Sequence, residues 1–467
     1  MSAPPSDVAG RLIRKWIPLS VASLLLVRFT VAASAPLADP DVWWHLRLGR
    51  QFQGDWSLHD PGQLSPFATV SWVPTQWLPE LVSIEAYDRF GLPGVAWIFG
   101  LGLVALVLTL YFVCRQRADV LPSTVAVGLA LAAASASLSP RPQILSFALL
   151  ALTVGAWLTF ENGGRTPWWL IPLTWVWAMC HGMWFTGVLV SAAAVLATLL
   201  SGTLPRRKVA AAALVPATGI VVAALTPAGP RLLLAPFAVG ERRTMILEWQ
   251  PPGWNDAELW LALAMAALLA LLFVKHRPSW LELGLTLLAL AWAFLSLRTV
   301  ALAGVMLAPL LAARIQLLLD DRPRVSRSER WVLGGTALAC LSVLALVTPK
   351  TADTPSDVPL ALESQLSALP DGTPVLNTWT LGGWLEWRHE NLAPVVDGLA
   401  EAYTVEHLRG YIRMLGVRPG WEEYVEETGA STALLTADDF ELAEALVSQL
   451  GWRQVGEDDG TVLLVAP

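Results

Sequence analysis

The chain has 467 residues, of which 55% are hydrophobic and only 15% charged, with a formal net charge of −7. That is far more apolar than a soluble domain of this length needs, and it puts the chain in the membrane class. The modest charge, with its acid gathered toward the C-terminal end, argues against nucleic-acid partners. The three cysteines, Cys114, Cys180 and Cys340, lie in or beside apolar runs, match no metal spacing and leave the terminal stretch without a disulfide framework.

Apolar runs long enough to cross about 30 Å of hydrocarbon lie near 16–36, 93–114, 120–138, 143–160, 183–200, 209–226, 257–274, 279–297, 299–319 and 330–348, with a shorter one near 167–180. The 24 Trp residues outnumber the 13 Phe and 5 Tyr. Many stand near span ends (Trp16, Trp97, Trp168, Trp169, Trp260, Trp280, Trp331), where the ring is apolar and its one N–H meets the headgroups. The first run carries Arg28 in its outer half, which snorkelling accommodates. Ala33-Ser34-Ala35 has the small-x-small look of a cleavage site, but the stretch is long enough to span and is read as an uncleaved helix.

Loop charge sets orientation, because basic residues stay on the cytoplasmic side. Arg11, Arg14 and Lys15, then Arg115 and Arg117, Arg206 to Lys208, Lys275 and Arg277, and Arg322, Arg324, Arg327 and Arg330 all fall on one side only if 167–200 is a hairpin of two helices turning near His181-Gly182. The consistent solution is about eleven transmembrane helices, N-terminus inside and C-terminus outside.

The long first outer loop, 37–92, opens with Asp39-Pro40-Asp41-Val42-Trp43-Trp44-His45. Asp is a favoured N-cap, Pro a favoured first helical residue, and a second acid in the first turn suits the helix dipole. On that structural reading Val42–Phe52 is an interfacial helix, with Trp43, Leu46, Trp44 and Leu48 as its apolar contacts. Capping needs one Asp, however, and here there are two, with His45 one turn beyond Asp41. A carboxylate near apolar rings has raised basicity, as a general base for a sugar hydroxyl requires. Asp39, Asp41 and His45 are therefore the catalytic candidates, with Trp43 and Trp44 as substrate contacts. Glu80, in Gln76-Trp77-Leu78-Pro79-Glu80, is either a solvated helix acid or a functional residue that backs up the Asp pair or binds substrate hydroxyls.

Further along, Arg141 and Arg298 are lone cations at the outer ends of spans, against the positive-inside trend. Each is either a snorkelling side chain or a guanidinium clamp for a phosphate, its planar fork pairing two oxygens. His181, at the hairpin tip, is a substrate-binding candidate, although a turn His is more often structural and no second His or Cys stands at zinc spacing. The outer loop 227–256 adds Arg231, Arg242 and Arg243, then Glu248-Trp249-Gln250-Pro251-Pro252, with Glu248 a further substrate contact. No phosphate-cradling Gly loop, nucleophile elbow or Walker motif is present. Paired acids can hold a divalent metal, but two Asp in one loop are too few ligands to specify one, so no cofactor is assigned.

After residues 1–349, a polar linker, 350–359, leads into a stretch of ordinary globular composition, 360–467. Pro374–Asn377, Pro394–Asp397, Thr432–Thr436 and Val462–Val465 read as strands, and Val405–Leu415, Trp421–Glu427 and Phe440–Leu450 as amphipathic helices. This alternation predicts a small extracytoplasmic α/β domain. Asp438-Asp439 reads as a helix cap and Asp458-Asp459 as a turn.

The Asp-x-Asp-x-Trp-Trp-His run, with Gly49 after it, resembles a bacterial multipass group within or near the GT-C class of membrane glycosyltransferases. Arg141-Pro142-Gln143, His181-Gly182, Glu248-Trp249-Gln250-Pro251 and Ser296-Leu297-Arg298 look like recurring motifs of that group. Leu381-Gly382-Gly383-Trp384-Leu385 and Val396-Asp397-Gly398 look like its outer domain. A basic residue often follows the Asp-Gly pair in the group, and this chain has Leu399, which puts a ligand role for the terminal domain in doubt.

The resemblance implies a GT-C-like helical membrane protein of the bacterial cytoplasmic membrane. Its donor would be a sugar on a polyprenyl phosphate, and its acceptor a glycan, lipid or protein. Asp39 or Asp41 would then be the base, and Arg141 and Arg298 would hold the carrier phosphate. The rival readings are a lipid or solute transporter, and a non-catalytic GT-C-like assembly protein. Transporters usually show internal repeats and mid-membrane charges. Here no repeat is visible and the ionisable residues collect at one face, although Pro216 and Pro309 stand mid-span.

Overall fold

The structure is a computed structural model that describes residues 15–238, 240–319 and 325–467. Arg11, Arg14, Arg322 and Arg324 of the basic loops lie outside the described residues. The chain divides into two compact units. The first comprises the residues up to Ala35 with Pro93–Pro236 and Leu247–Asp353; the second comprises Pro36–Leu92, Phe237–Ile246 and Thr354–Pro467.

The first unit holds all eleven expected apolar helices. Among the described residues seven are long and apolar enough to cross a membrane, and Ile17–Ala33, Val120–Ala133, Leu170–Cys180 and Trp280–Leu295 are shorter. Their ends follow local chemistry. Ser279 with Glu282 and Ser326 with Glu329 form capping boxes that satisfy the first free N–H groups. Gly202, at φ 62°, closes Trp184–Ser201 in the left-handed conformation that glycine adopts without strain.

Helix Leu297–Gln316 is buried along nearly its whole length, as a helix apolar on every side requires. It packs on Val120–Ala133, Trp280–Leu295, Ala257–Lys275 and Gln143–Glu161. Where lipid is as apolar as the side chains, close approach by small residues drives such packing. A methyl on Gly304 would stand 3.1 Å from Ala133 Cβ and 3.2 Å from the Ala130 carbonyl. Peripheral helices instead expose Leu214, Val221, Leu271, Val274 and Leu338, which suit hydrocarbon.

The hairpin that the basic loops demand is present, as Leu170–Cys180 and Trp184–Ser201 joined at His181. One of the loop cations, Arg115, and Arg314 in the last turn of Leu297–Gln316 prove to be buried structural groups. Arg115 pairs with Glu329 at 2.6 and 2.9 Å, with Tyr111 donating to the same carboxylate at 2.9 Å. Arg314 pairs with Glu282 at 2.9 Å. Pairing is what makes charge at such depth tolerable.

The second unit is built on a five-stranded sheet: β1 (Thr373–Asn377), β2 (Leu392–Pro394), β3 (Thr432–Leu435), β4 (Arg453–Asp458) and β5 (Thr461–Val465), in the order β2-β1-β3-β5-β4. β1 runs parallel to β2 and β3, and β5 runs antiparallel to β3 and β4. The helices Val405–Leu415, Trp421–Thr428 and Phe440–Leu450 stand where the pattern predicts them.

Two elements escape the pattern. β4 is a polar, largely exposed edge strand with no apolar alternation. It is held to β5 by an Asp459-Gly460 turn with φ 45° and 76°, the Asp-Gly signature of a tight hairpin. Helix Trp379–Arg388 contains two glycines, which lower its intrinsic propensity. The first outer loop belongs to this unit. Its helix Asp41–Gly54 does not lie exposed in an interface as expected: Val42, Trp43, Trp44, His45, Leu46, Leu48, Gly49 and Phe52 are buried, and the helix packs against Trp77–Phe90 and Trp379–Arg388.

Candidate functional site

The two loop aspartates separate into different roles. Asp39 Oδ1 accepts the Asp41 N–H at 3.0 Å, and the Asp39 carbonyl accepts from Val42 N at 3.2 Å. Asp39 thus caps the helix across Pro40, as Asp commonly does at an N-cap. Asp41 is left as a half-buried acid in the first turn. Its Oδ1 faces Gly398: a methyl there would fall 2.8 Å from that oxygen and would collide with the Trp44 indole nitrogen. The Trp44 Nε1–H is buried, with no hydrogen-bond partner among the described residues. A carboxylate oxygen and an unsatisfied indole donor therefore flank one glycine.

One turn on, His45 Nδ1 lies 2.9 Å from Glu80 Oε1, with both residues buried and the Trp44 ring 3.6 Å from the imidazole, centroid to centroid. Glu80 is therefore not a solvated helix acid. Burial pushes its carboxyl well above the ordinary range, and nearby Glu401 adds to the rise. His45 is engaged by that carboxyl on the helix that carries Asp41. Trp43 is buried on the same helix. Gly49 lets this helix close on the other: a Cβ on it would stand 3.0 Å from the Ile84 Cβ.

Sequence reasoning missed a second acidic pair. Glu386 and Asp397, both buried, sit together with Tyr403 beside them. Burial first, and then the Asp397 charge, drive the Glu386 carboxyl well above its usual range. Burial also raises Asp397, against the hydrogen bonds it accepts. Like charges buried together oppose each other's ionisation, so the pair resists carrying two negative charges.

Asp397 Oδ1 accepts the Leu399 N–H at 2.6 Å. Asn377 brackets the same turn, accepting from Val395 N at 3.0 Å and donating to the Val396 carbonyl at 2.9 Å. The Asp397-Gly398 turn that faces Asp41 and Trp44 is thus held from below by side chains. Leu399 contributes its backbone N–H, which any residue except Pro supplies, so the missing basic residue does not remove the turn from the site. Ser65 Oγ donates to the Pro394 carbonyl at 2.6 Å and Val70 N to the Ala402 carbonyl at 2.8 Å, tying the first loop to the sheet. Arg242 donates to the Tyr403 carbonyl at 2.7 and 3.0 Å. The Asp-Gly pair and the glycine pair in Leu381–Leu385 were the available signals, since glycines inside a helix mark close approach.

In the membrane unit three separated motifs converge. Arg141 donates to both Glu248 oxygens, at 2.7 and 3.0 Å. Arg298 Nε donates to Gln143 Oε1 at 2.7 Å, and Gln143 in turn donates to the Ser137 carbonyl at 2.8 Å. Leu297 N donates to the Gln250 carbonyl at 2.9 Å. Glu248 is the counter-ion of Arg141, and its carboxylate is more exposed than the guanidinium it holds. His181 is buried at the hairpin turn, where its Nδ1 accepts the Met183 N–H at 3.2 Å. Among the described residues no three His, Cys, Asp or Glu side chains gather so as to hold a metal ion, and none is assigned to one.

No protein-family model matches the chain, and no curated protein matches it. Among solved structures the chain is similar to ArnT from Cupriavidus metallidurans bound to undecaprenyl phosphate, at 15% identity and a TM-score of 0.49, over 96% of this chain and 97% of that one.

Proposed function

We propose that the protein is a GT-C-type membrane glycosyltransferase that moves a sugar from a polyprenyl-phosphate donor to an acceptor hydroxyl at the outer face of the cytoplasmic membrane. The observation that carries this reading is Asp41. It is a half-exposed acid in the first turn of a helix whose Val42 to Leu46 are buried, and its Oδ1 faces the Gly398 turn beside the Trp44 indole. A half-exposed carboxylate of this kind suits an acceptor hydroxyl, whose proton passes to it.

The oxygen then attacks the anomeric carbon as the bond from that carbon to the phosphate oxygen breaks, and the phosphate leaves with the electron pair. A single displacement of this kind inverts the anomeric centre. Within the membrane unit, Arg298 and Arg141, each braced by its own hydrogen bond, are the planar donors suited to a carrier phosphate. The basic loops support an N-terminus in the cytoplasm and a terminal domain outside it.

The deciding experiment measures radiolabelled sugar transfer in membranes from a panel of polyprenyl-phosphate donors, comparing wild type with Asp41→Asn. Transfer that vanishes in the variant while expression and melting hold supports the enzyme and its base. Equal transfer in both removes Asp41 from the chemistry. No transfer from any donor moves weight to the transporter and assembly readings.

A further inference from the structure

Helix Leu297–Gln316 carries Arg298 in its first turn and Arg314 near its last, about 24 Å apart along the axis at 1.5 Å per residue. Helix Gln143–Glu161 likewise has Gln143, the partner of Arg298, at one end and Glu161 at the other. Around the far ends of these two helices lies a cavity of about 1240 Å³, whose wall includes Arg117, Glu161, Arg277, Ser279, Glu282 and Arg314. It belongs wholly to the membrane unit and is remote from Arg141 and Arg298.

Two of its guanidinium groups are already committed. Arg314 Nε donates to Glu282 at 2.9 Å and its NH1 to the His276 carbonyl at 2.9 Å. Arg117 bonds to the Leu158 carbonyl and stands 3.8 Å from Glu161. Arg277 is exposed, so the cavity wall carries three arginines against two glutamates. Lys208 adds to this excess, donating at 3.4 Å to the carbonyl of Gly163, itself part of the wall. Exposed Trp280 and Leu317 supply apolar surface at the same wall. A polar cavity with surplus positive charge, set among the ends of apolar helices and edged by apolar side chains, matches a phosphate joined to acyl chains better than a free anion.

We propose that this cavity binds the phosphate-bearing headgroup of an anionic phospholipid, from the leaflet opposite the Arg141–Arg298 end. The inference rests on the membrane reading of the helices and not on the transferase reading, and its test does not involve sugar transfer.

The full-length protein, purified in detergent and stripped of lipid, is titrated with phosphatidylglycerol, phosphatidylcholine or inorganic phosphate. Bound lipid is read by native mass spectrometry and stabilisation by the shift in Tm. Phosphatidylglycerol is expected to bind and to raise Tm, and phosphatidylcholine to do neither. Arg277→Gln should weaken phosphatidylglycerol about fivefold, the worth of one basic residue near an anionic headgroup, and Arg277→Lys should restore most of it. Equal binding of the two lipids, or unchanged phosphatidylglycerol affinity in Arg277→Gln, would overturn the proposal. Inorganic phosphate that reproduces the whole shift would overturn the lipid source and identify a free anion as the ligand.

Discussion

Gly398 lies so close to Asp41 that a methyl group on it would stand 2.8 Å from the carboxylate oxygen and would strike the Trp44 indole nitrogen as well. The contact joins two segments from opposite ends of the chain. The turn carrying Gly398 is stiff, because Asp397 holds its backbone at 2.6 Å and Asn377 brackets it. Gly398→Ala must therefore displace Asp41 or Trp44 rather than move the turn. Sugar transfer should fall about a hundredfold, the usual consequence of misplacing a catalytic group by 1 Å, beyond the about 1–3 kcal/mol that overpacking beside buried Trp44 takes from stability. Retained activity would show that Asp41 tolerates displacement and is not the base.

Asp39 and Asp41 should respond to substitution in opposite ways. Asp39→Ala loses the cap and should destabilise the outer unit by about 0.5–2 kcal/mol, while Asp39→Asn keeps an acceptor and should do little. Asp41→Asn should leave melting unchanged and lower transfer by about 10²–10⁴-fold, the range for a general base. Melting curves and initial rates on the same three preparations separate the two aspartates.

The buried acids give the outer unit a pH dependence of definite sign. Glu386 and Glu80 have folded pKa values raised above their unfolded ones. Above the unfolded carboxyl value the unfolded chain ionises and the folded one does not, so stability falls as pH rises through that window. Glu386→Gln cannot ionise, so the variant should gain Tm at pH 8 relative to wild type and much less at pH 5. An equal gain at both pH values would mean that the Glu386 proton does not contribute to the dependence.

Arg298→Lys retains the charge but loses the Nε donor that meets Gln143 at 2.7 Å. If the planar fork holds a phosphate, transfer should fall about 10²–10³-fold, as on removal of one donor to a developing anion. Gln143→Ala should produce a smaller drop of the same kind, because it frees the guanidinium without removing it. A Lys variant as active as wild type would reduce Arg298 to a point charge.

Arg115 and Arg314 show how far loop charge can be read. Arg115, at a span end, supports the orientation, yet the structure buries it in an ion pair with Glu329, as it buries Arg314 with Glu282. A one-dimensional pattern reports where a charge stands along the chain and not which partner neutralises it. The same limit hid β4, whose exposed residues Arg453–Asp458 have no apolar face for the alternation to reveal.

The sequence by itself determined the eleven apolar helices, the hairpin at His181 and most of the terminal α/β domain. These follow from hydrophobic length, periodicity and turn chemistry, which act over a few neighbouring residues. It also singled out the motif Asp39–His45, because two acids beside a first span exceed what capping needs.

Only the tertiary structure decided which acid caps and which faces the Asp397-Gly398 turn, that His45 meets Glu80, and that Glu386 and Asp397 are buried together. It also joined Arg141 to Glu248 and Arg298 to Gln143. Each of these depends on the burial or approach of groups far apart in the chain, where desolvation and contact set the chemistry and no local spacing records them.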